Sequence, residues 1–354
     1  MSLQELTKRE RRIFLSIVHC FIETAEPVGS RYLARRYKLD ISPATIRNVM
    51  VDLEDKGLIY QPHTSAGRVP TDLGYRQYVN NLARVADLTV DEKRQIIEPL
   101  KKYSQDVDQI LLKASQVLST ISSQLGVVLS PRFTKGTLDK IELLNLSNDK
   151  LLIIIGIKSG LVKTVILEMD HFVPRNLLDK MNQLLNERLQ GVSIDLLLKS
   201  FDERFRDVDG KSKHLLQLIK QRTLSSLDAN VGDVFHFSGA VNVLAQPEFE
   251  TRDKVGTILE LIDRKDILIH MLSEHESDGV SIVIGEENEQ ALMKDCSLIT
   301  TSYRYKDASG TLGVIGPTRM QYDKIIALVQ FMAETLGYLM DKPDKTVDGR
   351  DERE

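Results

Sequence analysis

A short segment that begins at Ser42 and stops at Gly57 constrains the fold more than any other part of the chain. Serine is a preferred residue for capping the start of a helix, proline suits the first helical position that Pro43 would occupy, and glycine commonly ends a helix. Within the segment, apolar residues recur at spacings of three and four, which predicts one buried helix face. These residues are Ile46, Val49, Met50 and Leu53.

The segments around this helix predict a winged helix-turn-helix over residues 1–84. We expect a helix over 4–23, a break at 26–29 and a short helix over 31–37 before it. After it, a strand near 58–61, a polar loop over 63–68 and a return strand at 69–70 have the order of a wing. An ordinary amphipathic surface helix would show the same apolar spacing, but it would not be followed by a strand, a loop and a strand.

The chemistry of the side chains in this arrangement indicates which of them can contact DNA. Arginine can bond guanine, asparagine can bond adenine, and serine or threonine can bond a phosphate or a base edge. We predict that Thr45, Arg47 and Asn48 contact bases, with Ser42 and Ala44 close to phosphates or base edges. Residues of the short helix and the loop are expected to hold the DNA backbone or the minor groove. They are Arg31, His63, Thr64 and Arg68.

The charge of the chain is unevenly distributed. Residues 1–84 contain 13 Lys/Arg and 9 Asp/Glu, for a net charge of +4, whereas the remaining residues carry 34 basic and 42 acidic residues, for −8. Because DNA is a polyanion, a basic N-terminal quarter fits a DNA-binding segment. Charge alone would be weak support, since many solvated surfaces are equally basic.

Composition predicts a soluble, cytoplasmic protein. No apolar run approaches the roughly 18 residues that span a bilayer, and the basic start of the chain lacks the apolar core of a secretory signal. The two cysteines, Cys20 and Cys296, lie in apolar surroundings far apart in sequence, so we expect buried free thiols.

The remaining three quarters predict a multidomain α+β protein. Residues 88–125 are expected to be largely helical, strands are expected near 141–146, 151–157 and 162–168, and a helix over 175–189. Further strands near 280–284, 297–306 and 311–315 precede a helix over 319–340. We assign 85–190 and 270–341 to one layered α/β domain, 191–269 to an inserted subdomain, and 342–354 to a disordered tail.

The sequence contains no convincing catalytic constellation. Gly310, Gly313 and Gly316 have the spacing of a nucleotide-binding loop but fall in a predicted hairpin without a strand-to-helix turn. The histidines do not align as metal ligands, and Glu286 and Glu287 would point to opposite faces of a strand. We therefore predict no catalytic residues, no metal site and no cofactor, and we do not expect an enzyme.

Several runs of this sequence closely resemble the heat-inducible transcription repressor HrcA family, over about residues 5–341. The runs are Glu26–Ser30, Ser42–Met50, Leu53–Ile59, Gln61–Arg76, Gly285–Asn288 and Gly313–Met320. The resemblance implies that the layered domain is GAF-like and that the insertion mediates dimerisation. It also implies that the chain represses chaperone operons in the heat-shock stress response through the CIRCE inverted-repeat operator, and that the GroEL chaperonin keeps it active.

An alternative function shares the predicted DNA contacts. A GAF-like fold binds small molecules in other proteins, so the chain could be a metabolite-gated transcriptional regulator in which that domain is the sensor. An enzyme with an appended DNA-binding domain is a second alternative, which the missing catalytic residues disfavour.

Overall fold

The structure is a computed structural model, and it describes residues 6–38, 40–82, 86–104, 106–131, 136–169, 172–228, 235–274 and 279–341. The predicted tail, 342–354, lies outside the described residues. The chain divides into two compact units. The first unit comprises Met1–Val128, His236–Ser302 and Leu312–Thr335, and the second comprises Leu129–Phe235, Tyr303–Thr311 and Leu336–Glu354.

The described residues have a mixed α/β secondary structure. The α-helices, in chain order, are α1 (Lys8–Thr24), α2 (Ser30–Arg36), α3 (Pro43–Asp55), α4 (Asp72–Asn80), α5 (Val90–Lys101), α6 (Val107–Ser122), α7 (Arg175–Leu189), α8 (Ile194–Arg204), α9 (Lys211–Asp228), α10 (Ala240–Leu244), α11 (Arg252–Asp263), α12 (Lys265–Glu274) and α13 (Tyr322–Met340). The strands are β1 (Ile59–Tyr60), β2 (Val69–Pro70), β3 (Leu125–Leu129), β4 (Leu138–Asn145), β5 (Lys150–Ile157), β6 (Val162–Glu168), β7 (Phe235–Ser238), β8 (Ser281–Ile284), β9 (Cys296–Tyr305) and β10 (Ala308–Pro317).

The N-terminal segment, α1 to α4, belongs to the first unit. The apolar sides of α1, α2 and α3 meet in one core, in which Phe14, Leu33 and Ile46 are fully buried. The strands β1 and β2 pair antiparallel, with Ile59 opposite Pro70, and they bring the chain back to the start of α4.

An ion pair joins the beginning of α1 to the end of α3. The Thr7 side chain accepts from the Glu10 N–H, and the Glu10 carboxylate accepts from the Thr7 N–H, which forms a capping box. Glu10 also pairs with Lys56, at the C-cap of α3. Hydrogen bonds from Lys56 and from the Thr7 backbone lower the pKa of Glu10 to about 2. The two helices are therefore linked by charge as well as by apolar packing.

The larger sheet has five strands in the order β7-β3-β10-β9-β8. Its strands come from distant parts of the chain, because β3 and β7 flank the segment that forms the three-stranded sheet. In β10 the backbone runs very close to its neighbour: a Cβ placed on Gly313 would lie 2.4 Å from the Ile299 carbonyl oxygen. The glycines of this strand thus serve close strand packing.

A second antiparallel sheet, in the order β4-β5-β6, forms most of the core of the second unit. Alternate residues of β5 are buried on the face that α7, α8 and α9 share, which matches the period of two along a strand. These residues are Leu151, Ile153, Ile155 and Ile157.

Two asparagines of α7 occupy the outer edge of β4. Asn182 accepts from the Leu143 N–H at 2.8 Å and donates to the Leu143 carbonyl at 3.2 Å. One turn later, Asn186 makes the same pair of bonds with Ile141, at 3.0 and 2.7 Å. One helical turn matches the two-residue repeat of a strand closely enough for both contacts. The two side chains therefore bond backbone N–H and carbonyl groups of an edge strand that could otherwise pair with a strand of another chain.

The observed division of the chain differs from the predicted one. The sequence grouped the strands near 141–168 with those near 280–315, and it treated 191–269 as the insertion. In the structure β4, β5 and β6 form their own sheet, and residues 236–302 belong to the first unit. The reason is that the three strands are joined by short turns and close a complete meander among themselves.

Both cysteines, Cys20 and Cys296, are buried free thiols, as predicted. Burial raises the pKa of the Cys296 thiol to about 12, which keeps it protonated and unreactive at neutral pH. Among the described residues, no helix is long and apolar enough to cross a membrane.

We expect Asn182→Ala and Asn186→Ala each to lower the free energy of unfolding of the second unit by about 1 to 3 kcal/mol, because each leaves backbone groups of β4 without partners. Urea denaturation followed by circular dichroism measures this loss. Gln183→Ala is the matched control, since Gln183 is exposed on the same helix and its side-chain amide donates to Glu187 on that helix. Equal stability of all three variants would show that the asparagines do not hold the strand edge.

Candidate nucleic-acid interface

The start of α3 is capped and points its first turn outward. The Ser42 hydroxyl accepts from the Thr45 N–H at 3.1 Å, and Pro43 occupies the first helical turn. The remaining N–H groups of a helix start have no partner within the helix, and the helix dipole makes this end partly positive. Such an end favours an anion such as a phosphate.

The two faces of α3 are sharply separated by burial. Ile46 and Leu53 are fully buried against the core of the N-terminal segment, whereas Arg47 and Asn48 are exposed. Thr45 is half-buried, with its Oγ1 3.0 Å from the Ser42 Oγ. Ser42 and Ala44 also face solvent at the helix start. The structure therefore brings all five predicted residues of this helix to one exposed end.

The loop between β1 and β2 is held close to the body of the N-terminal segment. Val28 and Arg68 exchange two backbone hydrogen bonds, at 2.9 and 3.0 Å. A Cβ placed on Gly67 would lie 2.4 Å from the Val28 carbonyl carbon, so glycine is required for this approach. The Gln61 amide donates to two carbonyls of the loop, those of Thr64 and Ala66.

Three of the residues predicted to hold the DNA backbone face solvent. His63 and Thr64 are exposed at the tip of the loop, and Arg31 is exposed in the first turn of α2. These positions suit contacts to phosphates or to a groove edge.

Arg68 is the predicted residue that the structure does not leave facing solvent. Its side chain is 14% exposed, and its guanidinium pairs with Glu54 of α3 at 2.8 Å. Its Nε is buried without a hydrogen-bond partner. The ion pair and the backbone bonds to Val28 give Arg68 an internal role, which is to hold the loop against α3.

One basic residue of this surface was not predicted from the sequence. Arg35 is exposed, and it follows Arg31 by four residues, so both lie on the same side of α2. Among the described residues, neither arginine has an ion-pair partner, whereas Arg36 pairs with Glu23. The four-residue spacing from Arg31 was the signal that could have identified Arg35.

Comparison with known proteins identifies the family. Residues 108–326 match the family model for the HrcA protein C-terminal domain. The heat-inducible transcription repressor HrcA of Chlorobium phaeobacteroides (strain BS1) is 38% identical over 350 residues, which cover 96% of this chain and 99% of that protein. The chain belongs to the HrcA family of heat-inducible transcription repressors.

Other HrcA proteins show the same extent of similarity. That of Pelotomaculum thermopropionicum is 34% identical over 340 residues, covering 96% of this chain and 98% of the relative. The crystal structure of a hypothetical protein at 2.2 Å resolution superposes with a TM-score of 0.58 at 20% identity, over 95% of this chain and 99% of that one. This second likeness shows that the HrcA-family chain shares its overall mixed α/β fold with that protein.

In this HrcA-family chain we expect Arg68→Ala to lower the free energy of unfolding by about 1 to 2 kcal/mol, since it removes both a half-buried ion pair and the packing of the arginine stem. We expect the salt dependence of DNA binding to stay unchanged. Glu54→Gln is the control, because it breaks the same pair but keeps the arginine. If Arg68→Ala lowered the salt slope by about one unit and Glu54→Gln did not, Arg68 would be a phosphate contact after all.

Proposed function

We propose that this chain is a cytoplasmic repressor of chaperone operons that binds the CIRCE inverted-repeat operator as a homodimer through an N-terminal winged helix-turn-helix. The observation that carries the proposal is the capped start of α3, which presents Arg47 and Asn48 to solvent. The membership in the HrcA family supports the assignment to heat-inducible repression.

In this proposal α3 is the recognition helix. Its N-terminal turns enter the major groove, where Arg47 forks onto guanine, Asn48 pairs with adenine, and Thr45 reaches a base edge or methyl group. Ser42 and Ala44 lie at the helix end that favours a phosphate.

The loop between β1 and β2 acts as the wing in the same proposal. His63 and Thr64 at its tip, together with Arg31 of α2, hold the DNA backbone or the minor groove. Arg68 supports the wing from inside through its pair with Glu54. The proposal therefore assigns Arg68 to the support of the wing and not to a contact with DNA.

An apolar patch on the second unit supports the proposed homodimer. On the face of the three-stranded sheet opposite α7, a transverse row of three side chains crosses all three strands, since Leu144 lies opposite Leu152 and Leu152 opposite Ile166. Leu144 is 43% exposed and Ile166 is 55% exposed. Val162, on the same face, is 62% exposed. A row of exposed apolar side chains across a sheet face is a feature of surfaces that bind other proteins.

A twofold dimer matches an inverted repeat by symmetry. In a closed homodimer the same patch of both subunits forms the interface, so the two recognition helices are related by a twofold axis. They then read two half-sites of opposite orientation, separated by about one turn of DNA or a multiple of it.

The proposed role of the GroEL chaperonin rests on family membership. A multidomain protein whose DNA-competent state is only marginally stable loses that state after a small change in free energy. A chaperonin that restores this state, and that unfolded clients divert during heat shock, would couple repression to temperature.

A cavity of about 300 Å³ in the first unit favours the second candidate, a metabolite-gated regulator. It lies among the ends of α1 and α6 and the start of α13, and Gln124 in its wall has a buried Oε1 without a hydrogen-bond partner. Arg319, also in its wall, is already engaged by Glu248, Gln246 and the Ile22 carbonyl. An arginine that is already engaged within the protein offers a ligand no free charge, so this cavity supports the metabolite-gated regulator less strongly than the capped start of α3 supports the operator-binding repressor.

We expect Arg47→Ala to weaken operator binding by about 1 to 3 kcal/mol, or roughly 5-fold to 150-fold, because one good base contact is lost. Titration of labelled inverted-repeat and scrambled duplexes measures affinity and specificity, and repetition with the chaperonin at rising temperature tests that partner. Arg94→Ala is the control, since Arg94 is an exposed arginine of α5. Unchanged affinity and unchanged preference for the operator would contradict the role of Arg47.

We expect Ile166→Lys to convert the dimer to a monomer, because a lysine without a partner would be buried in an apolar interface. Sedimentation velocity over a range of protein concentrations measures the change. Asp179→Lys is the control, since Asp179 is exposed on α7, away from the sheet face. A wild-type chain that sediments as a monomer, or an Ile166→Lys chain that stays dimeric, would contradict the assignment of this face.

A further inference from the structure

The helix that follows the wing is clamped to a turn in the larger-sheet region of the first unit. Arg76 of α4 forms a two-pronged ion pair with Glu287, in which its Nε donates to Oε1 at 2.7 Å and a terminal nitrogen contacts Oε2. The same guanidinium donates to the Ile282 carbonyl at 2.6 Å. A planar guanidinium that meets both carboxylate oxygens fixes orientation as well as distance.

A second contact lies one helical turn earlier on α4. The Asp72 carboxylate accepts from the Glu286 N–H at 3.0 Å. Gly285 fits against it without space for a side chain: its φ is +52°, and a Cβ placed there would lie 2.0 Å from the Asp72 Oδ2. We call these five residues, Asp72, Arg76, Gly285, Glu286 and Glu287, the α4 clasp.

The turn that carries Glu287 is held by hydrogen bonds of its own. Glu287 accepts from the Ile284 N–H at 2.8 Å, so its carboxylate is fixed from both sides. The Asn288 amide is buried and donates to the Gly285, Met293 and Cys296 carbonyls. Burial raises the pKa of Glu287, but hydrogen bonds from Arg76 and from the Ile284 N–H outweigh it and leave the pKa below its ordinary value. Glu287 is therefore charged at neutral pH.

Aromatic packing supports the clasp beside these polar contacts. The Tyr75 and Tyr78 rings of α4 lie 5.9 and 6.5 Å from the Tyr322 ring of α13. All three side chains are buried, and the Tyr322 hydroxyl donates to the Thr318 carbonyl at 2.6 Å. One face of α4 is thus occupied by apolar and charged contacts together, which resists both rotation and translation of the helix.

We propose that the α4 clasp is a positioning device that fixes each recognition helix relative to the five-stranded sheet of the first unit and so contributes to the selection of operators by half-site spacing. The inference rests on the proposed operator-binding dimer. In such a dimer the separation of the two α3 helices is constant only if each DNA-binding segment is rigidly attached to the rest of its subunit. Among the described residues, the α4 clasp and the tyrosine packing beside it attach α4 to the remainder of the first unit.

The test uses full-length wild-type chain, Arg76→Ala and Glu287→Gln on operators of different spacer length. Glutamine keeps an acceptor for the Ile284 N–H but removes the charge that Arg76 meets. Five spacer lengths are compared. Besides the optimal spacer, two differ from it by one base pair, one shorter and one longer. The other two are longer by about 5 and about 10 base pairs, which are roughly half a turn and one turn of DNA. A duplex with a single half-site reports the base contacts separately.

We expect the wild-type chain to discriminate sharply between optimal and off-register spacers, and both variants to lose about tenfold of this discrimination, as the loss of a charge-assisted contact would give. Binding to the single half-site should stay unchanged. The double variant should lose no more than either single variant, because both remove the same contact. Lys294→Ala is the matched control, since it breaks a pair with Glu286 on the same turn without touching α4. It should keep wild-type discrimination.

Three outcomes would overturn the inference. The first is wild-type spacing discrimination in both variants. The second is an equal loss on the single half-site, which would show damage to the DNA-binding segment itself. Melting curves of the variants identify such damage. Arg76→Lys separates the two explanations, because it keeps the charge but not the two-pronged geometry. If the inference holds, this variant shows an intermediate loss of discrimination between spacers. The third is a wild-type chain that binds the inverted repeat no better than scrambled DNA, which would also overturn the proposed function.

Discussion

Burial of one stripe of α3 decides which side chains this chain can present to another molecule. Ile46 and Leu53 are fully buried, and on a helix each residue is rotated by about 100° from the previous one, so the directions of all others follow. Arg47 and Asn48 are thereby directed to solvent. The exposed side of α3 is consequently determined by the hydrophobic core beneath it, and a substitution in that core would misdirect the helix even if every polar residue were kept.

Internal ion pairs then select which cations remain available. Several basic residues of the N-terminal segment are paired with carboxylates of the first unit, and these are Arg36, Lys56, Arg68 and Arg76. Exposed arginines of α2 and α3 have no such partner among the described residues, and these are Arg31, Arg35 and Arg47. The net charge of +4 for residues 1–84 therefore does not distinguish the basic residues that are paired from those that are unpaired. The paired cations are engaged within the protein, whereas the unpaired ones remain free to meet an anion.

The sequence was most informative where the signal is local. Strong apolar periodicity predicted α7 and β6 with the observed bounds, and cap residues located α3 within a residue at each end. The strands β3 and β7 were not predicted, because a short apolar run such as 125–129 is compatible with both a strand and the end of a helix. Membership of a sheet depends on partners far away in the chain, so the division into two units was not predictable from periodicity. For the same reason the pairing of Arg68 with Glu54 was missed.

The position of α4 connects these levels. On one side it contacts the residues between α3 and β1, since the Thr71 hydroxyl at its N-cap donates to the Gly57 carbonyl at 2.6 Å and a Cβ placed on Gly74 would lie 2.2 Å from the Leu58 carbonyl oxygen. On the other side Arg76 and the buried tyrosines hold it to the turn after β8 and to α13. A close-packed helix in contact on both sides cannot shift without displacing its neighbours. Direct contacts of α4 therefore connect the turn after β8 to Gly57 and Leu58, which follow α3.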